Sequence, residues 1–176
     1  MPLAQSRAHP KKRAAVKTDG GRVRRASKSD LDAIDCVEQR AFTGDRFARR
    51  NLARLLASGA AETFVIAGGG AITGYVTLLF RKGSGVARIY SIALAPAARG
   101  KGFGRRLLES AERAARRRGA DRLRLEFRPS NRRARALYER AGFLLLEVKP
   151  AYYADGEDAI RMEKKITARN FRINES

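Results

Sequence analysis

Two hydrophobic periods alternate along this chain. Thr63–Ala67, Ile72–Phe80 and Val86–Leu94 are short apolar runs rich in Val, Ile, Leu, Phe and Tyr, the first two separated by Gly68-Gly69-Gly70. Runs of this length and composition, broken by glycine, predict three strands. From Gly104 the period lengthens. Leu107, Leu108, Ala111, Ala114 and Ala115 recur at helical spacing, and Gly119 ends the pattern. Leu123, Leu125 and Phe127 then alternate with charged residues, which predicts another strand. Asn131 can cap a following helix whose apolar stripe is Ala134, Leu137, Tyr138 and Ala141, closed by Gly142. Phe143–Val148 and Ala159–Ile166 read as two final strands. Ahead of Thr63, Val23–Ala26 suits a short strand. Ser29 or Asp30 can cap a helix carrying Leu31, Ile34 and Val37–Glu38 toward Phe42. A second helical pattern carries Phe47, Leu52, Leu55 and Leu56 before Gly59. The order β-α-α-β-β-β-α-β-α-β-β predicts an α+β (mixed α/β) domain over residues 22–166, with a mixed central sheet flanked by helices.

Composition narrows the function classes. A chain of 176 residues is long enough for one domain with its own core. No apolar run approaches the roughly 20 residues of a membrane span, and no secretory apolar region follows Met1, so a cytoplasmic location is expected. With one cysteine, Cys36, no internal disulfide can form. With one histidine, His9, a His/Cys metal site, a Ser-His-Asp centre and a Cys-His centre are all disfavoured, and no metal is expected.

The net charge of +20 changes the picture more. The first 25 residues hold eight Lys or Arg against one acid, Asp19. Residues 1–21 read as a disordered basic arm and residues 167–176 as a short polar tail. Such a charge attracts polyanions, the ribosome among them, although a solubility role explains the same composition.

The chemistry concentrates in Ile89–Gly104, I-Y-S-I-A-L-A-P-A-A-R-G-K-G-F-G. A strand, a glycine-rich turn and a helix N-terminus in that order form a phosphate cradle. Glycines allow close backbone approach, and the first-turn N–H groups have no partner inside the helix. Those donors and the positive end of the helix dipole favour an anion. A P-loop is excluded because no G-K-[ST] follows, and the dinucleotide-binding G-x-G-x-x-G is missed by one residue.

Arg99–Gly104, R-G-K-G-F-G, has the form [QR]-x-x-G-x-[GA]. Downstream stand L-R-L-E-F-R-P-S-N-R-R-A-R-A-L-Y-E-R-A-G-F and Y-Y-A-D-G-E-D-A-I-R-M. In these motifs the chain resembles the GCN5-related N-acetyltransferase (GNAT) family, and within it the ribosomal-protein-alanine N-acetyltransferases (RimI-type). The resemblance spans about Val23–Ile166 and is strongest from Ile89 to Met162. It implies the GNAT fold, acetyl-CoA as cosubstrate and the N-terminal α-amine of a protein or peptide as acceptor. It also implies that the backbone of Ile92, Ala93 and Leu94 pairs with the pantetheine arm. Arg99, Gly100, Lys101, Gly102, Phe103, Gly104 and Arg105 would cradle the pyrophosphate, and Asn131 would touch the cofactor. Glu126 falls at the catalytic base position, Tyr138 at the catalytic acid position, and Tyr152 and Tyr153 on a hairpin that grips the incoming peptide.

Elementary chemistry agrees with these roles. A neutral amine must attack a thioester, so a carboxylate that takes the amine proton and a hydroxyl that meets the departing thiolate suffice, with no covalent enzyme intermediate. Each residue also has a plainer reading. Glu126, between Arg124 and Arg128, suits a solvated cross-strand charge, and Tyr138 lies on a core stripe. Asn131 suits an N-cap, and Arg99 and Lys101 suit turn charges. Tyr152 and Tyr153 suit a hairpin whose turn is Ala154-Asp155-Gly156. A small-amine or lysine acetyltransferase and a basic RNA- or ribosome-binding module remain the competing functions, with a dinucleotide-binding protein behind them.

Overall fold

The computed structural model describes residues 21–166, so all but one residue of the expected arm, and the whole of the tail, lie outside the described residues. Among the described residues, seven strands and four helices follow one another in the expected order. They are β1 (Arg22–Arg25), α1 (Leu31–Ala41), α2 (Arg49–Ala57), β2 (Ala61–Gly68), β3 (Ala71–Phe80), β4 (Val86–Leu94), α3 (Phe103–Arg117), β5 (Arg122–Phe127), α4 (Arg132–Arg140), β6 (Leu144–Lys149) and β7 (Ala159–Lys165).

One sheet holds all seven strands in the order β1-β2-β3-β4-β5-β7-β6. Only β4 and β5 run parallel, because the helix between them carries the chain back to the same end. A sheet with a single parallel pair is not the doubly wound fold of dinucleotide-binding proteins, which removes that reading. The parallel pairing is also short. It joins Val86–Arg88 to Arg122–Arg124 and stops, while β4 keeps its β3 partners as far as Leu94. One edge of β4 from Ile89 to Leu94 therefore lacks a β5 partner.

Two cores sit on opposite faces. Leu107, Leu108, Ala111, Ala114 and Ala115 of α3 pack completely buried against Val76, Leu78, Leu123 and Leu125. The small alanines let the helix lie close to the sheet. On the other face Ile34 and Val37 of α1 and Leu52 of α2 cover Val65, Tyr75 and Ala93. Burying these large side chains contributes roughly 1.5–3 kcal/mol each.

A bulge interrupts β4. Ile89 faces Leu78 and Ser91 faces Thr77, so Tyr90 has no opposite residue. The extra residue shifts the alternation by one. Ala87 and Ile89 contribute to the α3 core, as do Ile92 and Leu94, whereas Ala93 turns to the α1 side. The continuous apolar run conceals this shift in the sequence.

Three expectations change. Asp30 is the N-cap residue of α1, but its carboxylate accepts from Ser27 N–H and from Arg24 at the preceding 3₁₀ turn, not from the helix it begins. Phe47 lies ahead of α2. The last two strands are joined by a loop over residues 150–158, not by a tight hairpin. The expected turn does exist inside it, closed by Gly156 N–H donating to Tyr153 O at 2.9 Å.

Candidate active site

Where β4 and β5 part, a cleft of about 1060 Å³ opens. Its floor is the free edge of β4 at Ile92, Ala93 and Leu94, and one wall is the turn and first residues of α3. The opposite wall is α4, and Ala41 and Phe42 close one end. The turn folds this way because Gly100 and Gly102 adopt φ of 73° and 76°, the left-handed region that side chains with a Cβ resist. Gly102 is the N-cap of α3, so the free N–H groups of the first helical turn begin beside the cleft. Gly104 has a different duty. A Cβ there would meet Leu137 Cδ2 at 3.1 Å, so glycine lets α3 and α4 approach.

Most sequence-picked residues meet in this one place. Ile92, Ala93, Leu94, Arg99, Gly100, Gly102, Phe103, Gly104, Arg105, Asn131 and Tyr138 all line the cleft. Lys101 instead lines a neighbouring hollow on the far side of the turn, with Cys36, Arg40 and the Gly68–Gly70 turn. Arg133 and Arg140 also line the cleft and were not picked from the sequence. Their seven-residue spacing on one helix face was the available signal. Together with Arg99 and Arg105 they place cations on both walls. Asn131 caps α4, its Oδ1 accepting from Ala134 N–H at 3.1 Å, while bordering the cleft.

Tyr138 is packed between Phe127 and Phe143, with ring centroids 5.3 and 5.9 Å away. Burial pushes its phenol well above the usual tyrosine range, with a smaller contribution from Tyr153. It therefore stays protonated at neutral pH and keeps an O–H to donate.

Glu126 lies on the opposite face of β5 from Leu125 and Phe127 and outside the cleft lining. Its side chain is 4% exposed. Arg88 Nε donates to Oε2 at 2.8 Å and Arg161 Nε to Oε1 at 2.7 Å. Arg161 also bonds Glu147, which completes a row of alternating charge across β4, β5, β7 and β6. A cross-strand charge is what the geometry displays, though a buried and doubly paired one in place of a solvated one.

Beyond this row the loops gather around Arg128. Its guanidinium meets Asp45 at 2.6 Å, Asp155 at 2.8 Å and Glu157 at 2.6 Å, and lies 3.9 Å from the Tyr153 ring centroid. The arginine holds the Glu157 carboxyl below its ordinary range. Asp155 is lowered first by the Glu157 N–H and then by Arg128. Tyr153 is pushed up to about 12, chiefly by burial. Tyr152 accepts at its hydroxyl from Arg88 Nη2 at 2.8 Å.

A second buried group was missed from the sequence. Glu38 occupies the apolar stripe of α1 and is fully buried. It accepts from the Tyr75 hydroxyl and from Phe47 N–H at 2.9 Å, and Tyr75 in turn bonds Ser91 at 2.9 Å. Burial pushes its carboxyl up. Phe47, fixed by this bond, stacks on Tyr90 with centroids 4.8 Å apart. An acid at a stripe position was the only sequence signal.

Known proteins share this architecture. The Acetyltransferase (GNAT) family model matches residues 31–143. A putative [ribosomal protein bS18]-alanine N-acetyltransferase of Bacillus subtilis is 33% identical over 141 residues, 80% of this chain and 92% of the relative. A mycothiol acetyltransferase of Beutenbergia cavernae is 44% identical over 64 residues, 36% of this chain and 22% of that protein. Among solved structures, the ribosomal-protein-S18-alanine N-acetyltransferase from Escherichia coli superposes with a TM-score of 0.76 at 29% identity, covering 87% of this chain and 98% of its own. With the sheet order, the parted strands and the glycine turn in place, this chain belongs to the GNAT family and is an acetyltransferase of the RimI-like kind.

Proposed function

We propose that this acetyltransferase carries the acetyl group of acetyl-CoA to the N-terminal α-amine of a protein, with the ribosomal protein bS18 class the first acceptor to test. The observation that carries the reading is the parting of β4 from β5. It leaves a free strand edge, a helix N-terminus and Tyr138 in one cleft lined by four arginines.

The cleft suits the cosubstrate. Ile92–Leu94 offer backbone donors and acceptors to an extended amide-bearing arm, as a missing strand would take them. Among the described residues, no atom beyond the adjoining residues lies within 4 Å of a Cβ built at Gly100 or Gly102, so a diphosphate can approach the turn closely. The α3 N–H groups and Arg99, Arg105, Arg133 and Arg140 answer its charge. Acetyl-CoA supplies a thioester whose carbon the amine attacks, forming the amide C–N bond as the C–S bond breaks.

The chain's own residues handle the protons. Glu126 takes the proton that the amine sheds and passes it to solvent. Backbone N–H near Leu94 stabilises charge on the carbonyl oxygen. Tyr138 donates a hydrogen bond to the departing sulfur. Complete transfer from an ordinary phenol to a thiolate is uphill by about 1.5 pKa units, or about 2 kcal/mol. Burial makes it more so, and hydrogen bonding through bond cleavage is then the larger part of its duty.

Proton accounting favours an α-amine. Its pKa of about 7.7–8.0, against about 10.4 for lysine, leaves far more of it neutral at pH 7. Tyr152 and Tyr153 on the 150–158 loop would hold the first peptide bonds. The basic arm over residues 1–21 would add a salt-sensitive attraction to a polyanion such as the ribosome. Comparing the acetylated N-termini and lysines of wild-type and deletion strains tests the acceptor. Loss of acetyl groups confined to a few N-termini supports the reading, and loss confined to lysines or small amines overturns it.

A further inference from the structure

The row Arg88–Glu126–Arg161–Glu147 leaves both oxygens of Glu126 already engaged by guanidinium groups. Each oxygen keeps a second lone pair, but with both guanidinium groups in place and a side chain only 4% exposed, an amine has little approach to it until one partner moves. The two arginines differ in how they are held. Arg161 projects from β7, is braced on its far side by Glu147, and its side chain is 19% exposed. Arg88 projects from β4 beside the Tyr90 bulge and is 39% exposed. Its other bond runs to the hydroxyl of Tyr152, an exposed residue of the 150–158 loop.

We infer that Arg88 is a positioning residue that couples acceptor capture to release of Glu126. When an incoming peptide takes the Tyr152 hydroxyl, Arg88 loses its outer anchor and gives up Oε2 of Glu126. That oxygen then receives the proton leaving the acceptor nitrogen. Without an acceptor the base stays paired. This rests on the reading of Glu126 as the base.

The other groups around Glu126 are fixed by separate contacts. On β5 and β7, Arg124 pairs with Glu163 one row along the sheet. On β6, Glu147 reaches Glu126 only through Arg161. Tyr153 is covered by Arg128, which also holds Asp45, Asp155 and Glu157. Tyr90 stacks on Phe47 and lies under the Arg88 guanidinium, 5.9 Å away. Of the charged groups in direct contact with Glu126, Arg88 is the one tied to a loop.

The test measures kcat and KM against pH for the full chain, using one free N-terminal peptide throughout so that the amine's own ionisation is constant. The arms are wild type, Arg88→Gln, Arg88→Lys, Tyr152→Phe, the double variant Arg88→Gln/Tyr152→Phe, and Glu126→Gln. Removing a cation beside a carboxylate disfavours its charged form, so Arg88→Gln should move the acid-side limb of kcat/KM, which reports the enzyme before the acceptor binds, upward. Arg88→Lys keeps the charge and should restore most of the wild-type position. Tyr152→Phe should raise peptide KM in the wild-type background and raise it further once Arg88 is gone, because the hydroxyl is then no longer shared between Arg88 and the peptide. The expected coupling in kcat/KM is about fivefold or more. An unmoved limb in Arg88→Gln, or strictly additive effects of the pair, overturns the coupling. Should Glu126→Gln keep wild-type kcat, the base reading falls and this inference with it. Should Glu126→Gln lose activity while Arg88→Gln leaves the limb in place, only the inference about Arg88 falls.

Discussion

Gly102→Ala isolates the cradle from its structural cost. Gly102 sits at φ 76°, where an L side chain costs about 1–2 kcal/mol, and its Cβ would meet no atom of the described residues within 4 Å beyond its chain neighbours. Gly83, in the β3–β4 turn, has the same φ of 76° and the same open surroundings, yet lies outside the cleft. The two alanine variants should therefore lose similar stability, read as similar shifts in urea midpoint. They should differ in cofactor affinity. An added methyl at Gly102 stands where the diphosphate must approach the free N–H groups of α3. Losing one hydrogen bond to a charged group costs about 1.5–3 kcal/mol, which is roughly 10- to 100-fold in Kd. Calorimetry with acetyl-CoA on both folded variants reads the difference. Equal affinities for the Gly102→Ala and Gly83→Ala proteins would refute the cradle, because strain alone would then account for everything.

Tyr138→Phe should lower kcat by about 10²-fold or more while acetyl-CoA Kd, measured separately, stays within about twofold. Glu38 has a raised carboxyl, so the folded state binds its proton more tightly than the unfolded state, and this contribution to stability falls as pH rises through and above the ordinary carboxylate range. Urea midpoints of Glu38→Gln should therefore gain on wild type between pH 4.5 and pH 7.5, and a difference that is constant with pH would contradict the assignment. Deleting residues 1–21 should leave turnover of a short peptide unchanged and flatten the salt dependence of ribosome or RNA association, measured by anisotropy or sedimentation.

Much of this fold was legible because period and punctuation agreed. Val86–Leu94 has the same bounds in sequence and structure, and α3 begins one residue before the expected Gly104. What stayed hidden depended on pairing. Nothing in I-Y-S-I-A-L marks Tyr90 as the bulge residue, since every candidate position is apolar or small. The parting of β4 from β5 is a property of two strands that a whole helix separates in the chain. Leu144, Leu145 and Leu146 look like core in the sequence, but β6 is the last strand of the sheet and leaves them 74%, 64% and 46% exposed. The cleft residues were legible for a different reason, since the cradle is local and its glycines, N-cap and strand lie within sixteen positions. Glu126 could be picked, but its partners could not. Arg88 and Arg161 reach it only through strand register, which a single sequence does not display.

Acetyl transfer to an α-amine is the central claim, and a competition between two peptides tests it most directly. One peptide has a free N-terminus beginning with Ala or Ser and lacks lysine. The other has a blocked N-terminus and contains lysine. Both are offered together with acetyl-CoA and the full chain at pH 7, and tandem mass spectrometry locates the product. The expected product is the peptide acetylated at its free α-amine, with strong preference over the ε-amine. Acetylation confined to lysine, or of polyamines and neither peptide, would contradict the claim.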